Sequence, residues 1–456
     1  MRYGFTKLLK TAILLMAGFV ILFSGCSRND VPRNTANDAL LTPKVAIQWA
    51  DMTLRSVILS QPNSPTYTSR VLGYIGLTMF ESVVNGSLVH QSVSGQLNQM
   101  PALPVPGPSK QYNWVVALNA GQASIIKKFY PYNTSDEIDS LEALILDQEI
   151  KKTNDQQMIS RSVQFGKGIA DAIFAWSETD GGKNGQKYIL DSNYQYPKGP
   201  GYWIPPPPGS QSALPYPMHP YWGANRNFIP ANATVPIPPI IPYSTDPASD
   251  CYKEFLEVYN INKNLTLEEK EIALWWSDDP KQSYAPPGHS YNIASISLKK
   301  KNPDLFTAAE AYARTGMAVA DAFIDCWRCK YTYHSQRPFP YIDKFIDTTY
   351  VQFWPEPPFP AFSSGHSTQA AAMATVLTAM FGDNFSLTDN TNEFRVKDVV
   401  RNIDFKPRTY GSFWQTAEEC GYSRLQGGIH TRQDNVVGQA MGKLIGQNVN
   451  ALSWRK

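Results

Sequence analysis

A proline-rich approach to a long apolar helix lies in the last quarter of the chain. It reads Pro357-Pro-Phe-Pro-Ala-Phe-Ser-Ser364-Gly365-His366-Ser367-Thr368 and continues as Gln369-Ala-Ala-Ala-Met-Ala-Thr-Val-Leu-Thr-Ala-Met-Phe381. The second half has helical spacing and predicts a helix over 366–382. The Ser-Gly pair leaves the free N–H groups and the positive end of that helix open to an anion. Alone, the pattern is more typical of an ordinary capped helix start.

A second helix start near the C-terminus also carries a histidine. It reads Tyr422-Ser423-Arg424-Leu-Gln-Gly427-Gly428-Ile-His430-Thr-Arg-Gln-Asp434. On the helix predicted over 430–453, His430 and Asp434 would share a face, so that the carboxylate fixes the tautomer of the imidazole. Arg424 is out of phase with His430, but a turn at the glycines would bring it back. In isolation the pair is more typical of a surface histidine with a helical neighbour.

Two cations seven residues apart precede these stretches, in Lys330-Tyr-Thr-Tyr-His-Ser-Gln-Arg337-Pro338. Seven residues turn a helix through about 700°, which returns to within about 20° of the start. We therefore predict that Lys330 and Arg337 share a face of the helix that begins near 306, and that Pro338 ends this helix. Two unpaired cations on one face favour an anion between them, although a solvated pair is commoner.

The three stretches together predict one oxyanion site, since three cations, a serine, a glycine N–H and two histidines complement a small tetrahedral anion. They resemble the signature shared by vanadium-dependent haloperoxidases and type 2 phosphatidic acid phosphatases: Lys-x6-Arg-Pro, Pro-Ser-Gly-His and Ser-Arg-x5-His-x3-Asp. Order and spacing match over 330–434, with Ser363 in place of the usual proline. The resemblance to the haloperoxidase branch extends to Trp275-Trp276-Ser277-Asp278-Asp279 and to Pro286-Pro287-Gly288-His289.

The resemblance implies an all-α fold of two halves similar to four-helix bundles, and it implies roles for the site residues. His430 would ligate vanadium or become a phosphohistidine, Asp434 would orient it, and His366 would act as acid and base. Lys330 would also act in catalysis by polarising the peroxide, and Asp279 would pair with Arg424. The residues implied to bind vanadate or phosphate are Lys330, Arg337, Ser364, Gly365 and Arg424.

Two enzymatic activities use the same residues. The favoured one is oxidation of halide by hydrogen peroxide, with vanadate as cofactor, and an aromatic pocket of Trp354, Phe359 and Phe362 for the halide. The alternative is an acid phosphatase that cleaves phosphate esters through a phosphohistidine and needs no cofactor. The chain is longer than a phosphatase of this superfamily requires, which favours the haloperoxidase. A non-catalytic oxyanion-binding protein is disfavoured, because binding alone needs neither histidine.

Composition and organisation agree with a helical enzyme. The chain has 456 residues, 43% hydrophobic and 18% charged, with 41 Lys+Arg against 39 Asp+Glu. These values exclude a disordered protein and a polybasic nucleic-acid binder. The proline-rich segment 195–245 contains too many aromatic residues for a solvated linker. We therefore expect it to be ordered and to wrap the helices. The predicted regions are a signal peptide (1–25), a tether (26–40), an N-terminal helical region (41–194), a proline- and aromatic-rich wrapping segment (195–245) and a C-terminal helical bundle (246–456).

The N-terminus predicts export. Three basic residues precede the apolar stretch 11–23, and Ser24-Gly25-Cys26 follows it, which resembles a bacterial lipobox. Cleavage before Cys26 and lipidation of its thiol would anchor the protein to a membrane, facing the periplasm or the exterior; the alternative is an uncleaved anchor helix. Cys326 and Cys329 have the spacing of a redox motif or half a zinc site, but no second close pair completes a zinc site, so a structural role is favoured.

Overall fold

The computed structural model describes residues 41–60, 63–132, 134–205, 215–279 and 281–456. The predicted signal peptide with its tether, including Cys26, lies outside the described residues. Within these ranges no helix combines the length and the apolar character that crossing a bilayer requires.

The regular structure of the described ranges is helical, with one two-stranded antiparallel sheet, and this confirms the predicted all-α class. In the sheet, Leu387 lies opposite Tyr410. The helices are α1 (Lys44–Leu59), α2 (Pro65–Glu81), α3 (Trp114–Phe129), α4 (Ser135–Ile150), α5 (Gln156–Ser177), α6 (Asp250–Lys263), α7 (Leu267–Trp275), α8 (Ala285–Lys301), α9 (Leu305–Tyr333), α10 (Pro338–Phe345), α11 (Gly365–Phe381), α12 (Phe413–Gln426) and α13 (Arg432–Asn450), and the strands are β1 (Leu387–Asp389) and β2 (Arg408–Tyr410).

Helix α9 is the central element of the core. It is buried on nearly all sides from Leu305 to Lys330, as expected for a helix surrounded by others. Helix α2 crosses it at two glycines: a Cβ on Gly76 would lie 2.5 Å from the Tyr312 carbonyl oxygen, and one on Gly316 would lie 2.5 Å from the Leu72 carbonyl oxygen. One continuous hydrophobic core includes side chains from the N-terminal helices and from α9, α11 and α13.

Helices α11 and α13 lie against each other through small residues. A Cβ on Gly442 would lie 2.0 Å from the Thr368 carbonyl oxygen, and one on Gly438 would lie 2.9 Å from the Ser364 carbonyl oxygen. The backbone N–H of Ser364 donates to the Asp434 carbonyl oxygen at 3.0 Å. This contact holds the N-termini of the two helices side by side.

The described parts of the proline-rich segment pack against α9. The backbone N–H of Trp203 donates to the His334 carbonyl oxygen at 2.6 Å. Farther along, the N–H groups of Phe228 and Ile229 donate to the carboxylate of Asp321, at 2.7 and 3.1 Å. Trp203 and Phe228 are buried, so the segment contributes to the core.

The prediction that Lys330 and Arg337 share a helix face is wrong. Helix α9 ends at Tyr333, and His334 adopts a left-handed conformation with φ of 49°. The chain turns back there, so Arg337 is the N-cap of α10 and Pro338 is its first residue. Pro338 begins a helix because its fixed φ and missing N–H suit the first helical position.

The buried cysteines are all free thiols. Cys326 and Cys329 both lie in α9 and are not joined by a disulfide. The Cys326 thiol donates to the Ser363 carbonyl oxygen at 3.3 Å, and burial raises the pKa of both thiols. Protonated, buried thiols are poor nucleophiles, which agrees with a structural role.

The crossing of α11 and α13 predicts the effect of one added methyl group. Gly442→Ala should lower the free energy of unfolding by about 1–3 kcal/mol, because the new Cβ would overlap the backbone of α11. Chemical denaturation would measure the change. The matched control is Gly168→Ala in α5, where a Cβ meets only Pro104 at 3.5 Å and stability should be unchanged or rise by up to about 1 kcal/mol. Equal stabilities of the two variants would contradict the proposed crossing.

Candidate active site

A cavity of about 350 Å³ lies at the N-terminal ends of α11 and α13. Its polar end is formed by Gly365, His366, Arg424 and His430. Of the three aromatic side chains predicted to form a halide pocket, two line this cavity and one does not. Trp354 and Phe359 line the cavity, whereas Phe362 does not, because it is fully buried with its ring 5.4 Å from that of Tyr333.

Three cations lie in the protein interior near this end of the cavity. Arg424 lines the cavity, whereas Arg337 lies behind its lining residue His430, and Lys330 behind Phe359. Lys330 and Arg337 are 0% exposed, and Arg424 is 2% exposed. The ammonium of Lys330 donates to the carbonyl oxygens of Pro360, Ala361 and Ser363, at 2.6–2.9 Å. The groups that bond the two arginines are also mostly backbone carbonyls. The chain therefore orients these cations with neutral acceptors.

Arg337 links the loop before α11 to the loop before α13. Its Nε and Nη2 donate to the Phe359 carbonyl oxygen, at 3.0 and 2.9 Å, and its Nη1 donates to the Ile429 carbonyl oxygen at 2.8 Å. Arg424 donates from Nε to the Ser423 hydroxyl at 2.9 Å and from Nη2 to the Ala273 carbonyl oxygen at 3.2 Å. Helix α12 ends at Gln426, and Arg424, in its last turn, lines the same cavity as His430.

The three cations have no carboxylate within ion-pair distance, which is 4.0 Å, anywhere in the described ranges. Burial lowers the pKa of Lys330 to about 8 and that of Arg337 to about 10. Burying a charge without a counterion costs about 2–5 kcal/mol for each ion. A bound anion would compensate these charges.

His430 is held by two opposite partners. Its Nδ1 lies 2.9 Å from Oδ2 of Asp434, and its Nε2 lies 3.0 Å from Nη1 of Arg337, which can only donate. The proton of His430 is therefore on Nδ1, and the Nε2 lone pair faces the cations. Burial and then the charge of Arg337 lower the pKa of His430 well below its ordinary value, so the ring is neutral.

His430 and Asp434 are in contact, but not through the shared helix face that was predicted. Helix α13 begins at Arg432, and His430 precedes the N-cap residue Thr431. Asp434 accepts the backbone N–H of Thr431 at 3.1 Å in a capping box, and this bond aims its carboxylate back at His430. Burial raises the pKa of Asp434 to about 6.

The start of α11 provides the other side of the site. Ser364 caps the helix by accepting the Ser367 N–H at 3.3 Å, which leaves the N–H groups of Gly365 and His366 without intrahelical acceptors. Nε2 of His366 is buried and has no hydrogen-bond partner among the described residues. Burial and then Arg424 lower the pKa of His366 well below its ordinary value. A neutral imidazole thus faces the cavity.

Asp279 does not pair with Arg424. Its carboxylate binds Arg395 at 2.6 Å, and the guanidinium of Arg395 lies over the ring of Phe405 at 4.0 Å. The carboxylate next in sequence, Asp278, also lines the cavity and is 2% exposed. The sequence does not show which way the carboxylate of each adjacent aspartate points, and Arg395 belongs to no motif. Sequence reasoning therefore missed both Asp278 and Arg395.

These residues fit a tetrahedral oxyanion such as vanadate or phosphate. The uncompensated cations and the helix N–H groups supply positive charge and donors, and His366, whose Nε2 has no partner among the described residues, lines the same cavity. By contrast, the described ranges contain no group of three or more His, Cys, Asp or Glu suited to a bare metal cation.

Comparison with known proteins identifies relatives of this chain. A family model described as the VCPO second helical-bundle domain matches residues 348–455. No curated protein matches the chain. A bacterial vanadium-dependent iodoperoxidase has a crystal structure with a TM-score of 0.77 and 30% sequence identity, covering 91% of this chain and 97% of its own.

A bacterial vanadium-dependent chloroperoxidase shares the fold at lower identity. Its apo and holo structures are 16% identical to this chain, with TM-scores of 0.64 and 0.62. They cover 87% and 88% of this chain, and 94% and 95% of their own. The likeness to the iodoperoxidase spans nearly the whole of both proteins, and on that basis this chain belongs to the vanadium-dependent haloperoxidase family.

Proposed function

We propose that this protein oxidises halide ions with hydrogen peroxide at a vanadate held by His430, and that iodide is its preferred halide. The observation that carries the proposal is the convergence of three buried cations, none with a carboxylate partner in the described residues, on two neutral histidines. The 30% identity to an iodoperoxidase over almost its full length supports iodide.

The residues of the site would divide the binding of the oxyanion between them. Lys330, Arg337 and Arg424 supply positive charge, while the Ser364 hydroxyl and the Gly365 N–H supply directed donors. His430 offers the Nε2 lone pair, because Asp434 keeps its proton on Nδ1. When bound, vanadate would supply the Lewis-acid centre that activates hydrogen peroxide toward a halide.

In this proposal His366 handles the proton of the reaction and Lys330 its negative charge. Halide, hydrogen peroxide and one proton give hypohalous acid and water, so a proton must be held and delivered at the site. Neutral His366 takes a proton on Nε2 from the incoming peroxide and returns it to the departing oxygen. The Lys330 ammonium, buried 5.1 Å from the centre of the Phe359 ring, stabilises negative charge where water is excluded.

An assay of the purified full-length chain tests the proposal. With vanadate, hydrogen peroxide and iodide it should form triiodide. His366→Ala should lower kcat by about 10²–10⁴-fold, because it removes the acid–base group. His430→Ala should weaken vanadate binding by more than the about 10–100-fold that loss of an outer-shell partner causes. Vanadate binding is measured by equilibrium dialysis, so that affinity and turnover are separated.

Phosphate-ester hydrolysis is the matched negative test. Hydrolysis of p-nitrophenyl phosphate by the vanadate-free protein, lost in His430→Ala and without any halide oxidation on adding vanadate, would establish the acid phosphatase instead. His334→Ala is the control variant. His334 ends α9 outside the cavity lining, bonded to Tyr194 at 2.7 Å, and its loss should leave vanadate affinity unchanged.

The capping box at α13 predicts a role for one charge. Asp434→Asn should weaken vanadate binding by about 10–100-fold, since the neutral amide supports the His430 tautomer less strongly. Asp304→Asn removes the same charge from the N-cap of α9, where Asp304 accepts the Thr307 N–H at 2.9 Å. This control should bind vanadate as the unmodified protein does. Equal affinity of both variants would refute the assigned role of Asp434.

We also propose that the protein is exported and anchored to a membrane by lipid on Cys26, facing the periplasm or the exterior. The basic start, the apolar stretch 11–23 and Ser24-Gly25-Cys26 support this. Cys26→Ser should abolish incorporation of a labelled fatty acid and move the protein from the membrane fraction to the soluble one. Labelling that persists in Cys26→Ser would disprove this anchor.

A further inference from the structure

One methionine lines the cavity of the candidate active site. Met218 belongs to the proline- and aromatic-rich segment, is 7% exposed and lines the cavity together with Phe323 and Trp327 of α9. Among the described residues that line the cavity, it alone carries a sulfur atom. A thioether is soft, polarizable and readily oxidised to a sulfoxide. Met218 is therefore the lining side chain most open to attack by an oxidant formed in the cavity.

Hydrogen bonds of its backbone hold Met218 in the cavity wall. The Met218 N–H donates to the Pro358 carbonyl oxygen at 2.9 Å. Its carbonyl oxygen accepts the indole N–H of Trp327 at 3.2 Å and the hydroxyl of Tyr331 at 2.7 Å. These bonds join the segment to α9 on one side and to the loop before α11 on the other. The position of Met218 beside the cavity is therefore fixed by two other parts of the fold.

The loop that accepts the Met218 N–H also orients a cation of the site. Pro358 precedes Phe359, and both residues line the cavity. The Phe359 carbonyl oxygen accepts two hydrogen bonds from the guanidinium of Arg337, at 3.0 and 2.9 Å. A shift of the chain at Met218 would therefore reach the contact of Arg337 through these two adjacent residues.

We propose that Met218 is a modification site, at which hypoiodous acid formed in the cavity converts the thioether to a sulfoxide before the acid escapes, and that this modification slows further turnover. The proposal rests on the proposed function for its oxidant. A sulfoxide places a polar oxygen among apolar side chains such as Phe323 and Trp327. Because Met218 binds Pro358, the modification also disturbs the loop that orients Arg337.

The reaction needs no reagent besides hypoiodous acid and water. The iodine of hypoiodous acid is electrophilic, so a lone pair of the Met218 sulfur forms an S–I bond as the I–O bond breaks and hydroxide leaves. The oxygen of a water molecule then attacks the sulfur, an S–O bond forms, the S–I bond breaks, and iodide leaves while the water gives up both protons. In sum, thioether and hypoiodous acid give sulfoxide, iodide and one proton, with the sulfur oxidised and the iodine reduced.

Two other methionines allow the source of the oxidant to be located. Met158, on α5, is half-buried and lies outside the cavity lining. Met441, on α13, is 5% exposed and also lies outside the lining, with its sulfur 3.9 Å from that of Cys329. An oxidant in bulk solvent should reach Met158 before Met218, whereas an oxidant formed in the cavity should reach Met218 first. Met441 should react last in both cases.

Peptide mass spectrometry of the full chain after two treatments tests the proposal. In the first, protein with vanadate turns over hydrogen peroxide and iodide in excess free methionine, which consumes oxidant released to the solvent; a sample without iodide measures the background from peroxide. In the second, vanadate-free protein receives iodine, which hydrolyses to hypoiodous acid in bulk water. The sulfoxide fraction of Met218 should exceed that of Met158 by about tenfold or more in the first treatment, because the oxidant forms beside it. In the second treatment the order should be reversed.

The number of turnovers completed before activity is lost provides the second readout. Met218→Leu keeps an apolar side chain of similar volume, so the variant should fold and begin at the rate of the unmodified protein. It should complete severalfold more turnovers, because leucine has no sulfur to oxidise. Met158→Leu is the matched control: it removes a thioether outside the cavity lining and should lose activity as fast as the unmodified protein does.

The outcomes distinguish failure of this proposal from failure of the proposed function. If triiodide forms in the first treatment while Met218 keeps its thioether, or while Met158 is oxidised equally, the modification site is refuted and the proposed function stands. Equal numbers of turnovers in Met218→Leu and in the unmodified protein would overturn the effect assigned to the sulfoxide. If no triiodide forms, the proposed function fails, and the modification site fails with it for lack of an oxidant.

Discussion

Positive charge buried without a counterion is the constraint on which the site depends. Lys330, Arg337 and Arg424 are desolvated, and the groups that bond them are mostly backbone carbonyls rather than carboxylates. Carbonyl dipoles orient a cation without neutralising it, so an attraction for an anion remains. Such an arrangement is stable only in a rigid frame, because relaxation would bring water or a carboxylate to each charge. The close crossing of α11 and α13 supplies part of this frame.

Hydrogen bonds at the N-terminal ends of helices also shape the candidate site. Ser364 caps α11, and its backbone N–H binds the Asp434 carbonyl oxygen. Asp434 closes the capping box of α13 and orients His430. Arg337 occupies the N-cap position of α10 but makes no capping bond with its side chain, which bonds His430 instead. Since Asp434 both satisfies the helix end and orients His430, the geometry of the candidate site is set by local folding as well as by packing.

Local patterns predicted the class of fold and the helix starts near 306, 366 and 430, but not the geometry that joins the candidate site residues. His430 and Asp434 were predicted to meet on a helix face; they meet through a capping box, which has nearly the same spacing. Lys330 and Arg337 were predicted to share a helix, but the left-handed turn at His334 separates them. A single non-glycine residue with positive φ does not change the hydrophobic periodicity of a sequence, so periodicity could not predict this turn. The direction of Phe362, or of Asp278 against Asp279, depends on tertiary contacts.

The two histidines of the site differ in how their orientation is encoded. His430 is oriented by a carboxylate four residues away, within one continuous stretch of chain. His366 has no such partner for its Nε2 among the described residues; it shares its cavity with Asp278, which is bound by His289 and Asn392 from other parts of the chain. Local contacts survive partial loosening of a fold better than contacts that need several segments together. The orientation of His430 is therefore encoded within one helix start, whereas the surroundings of His366 depend on the packing of several distant segments.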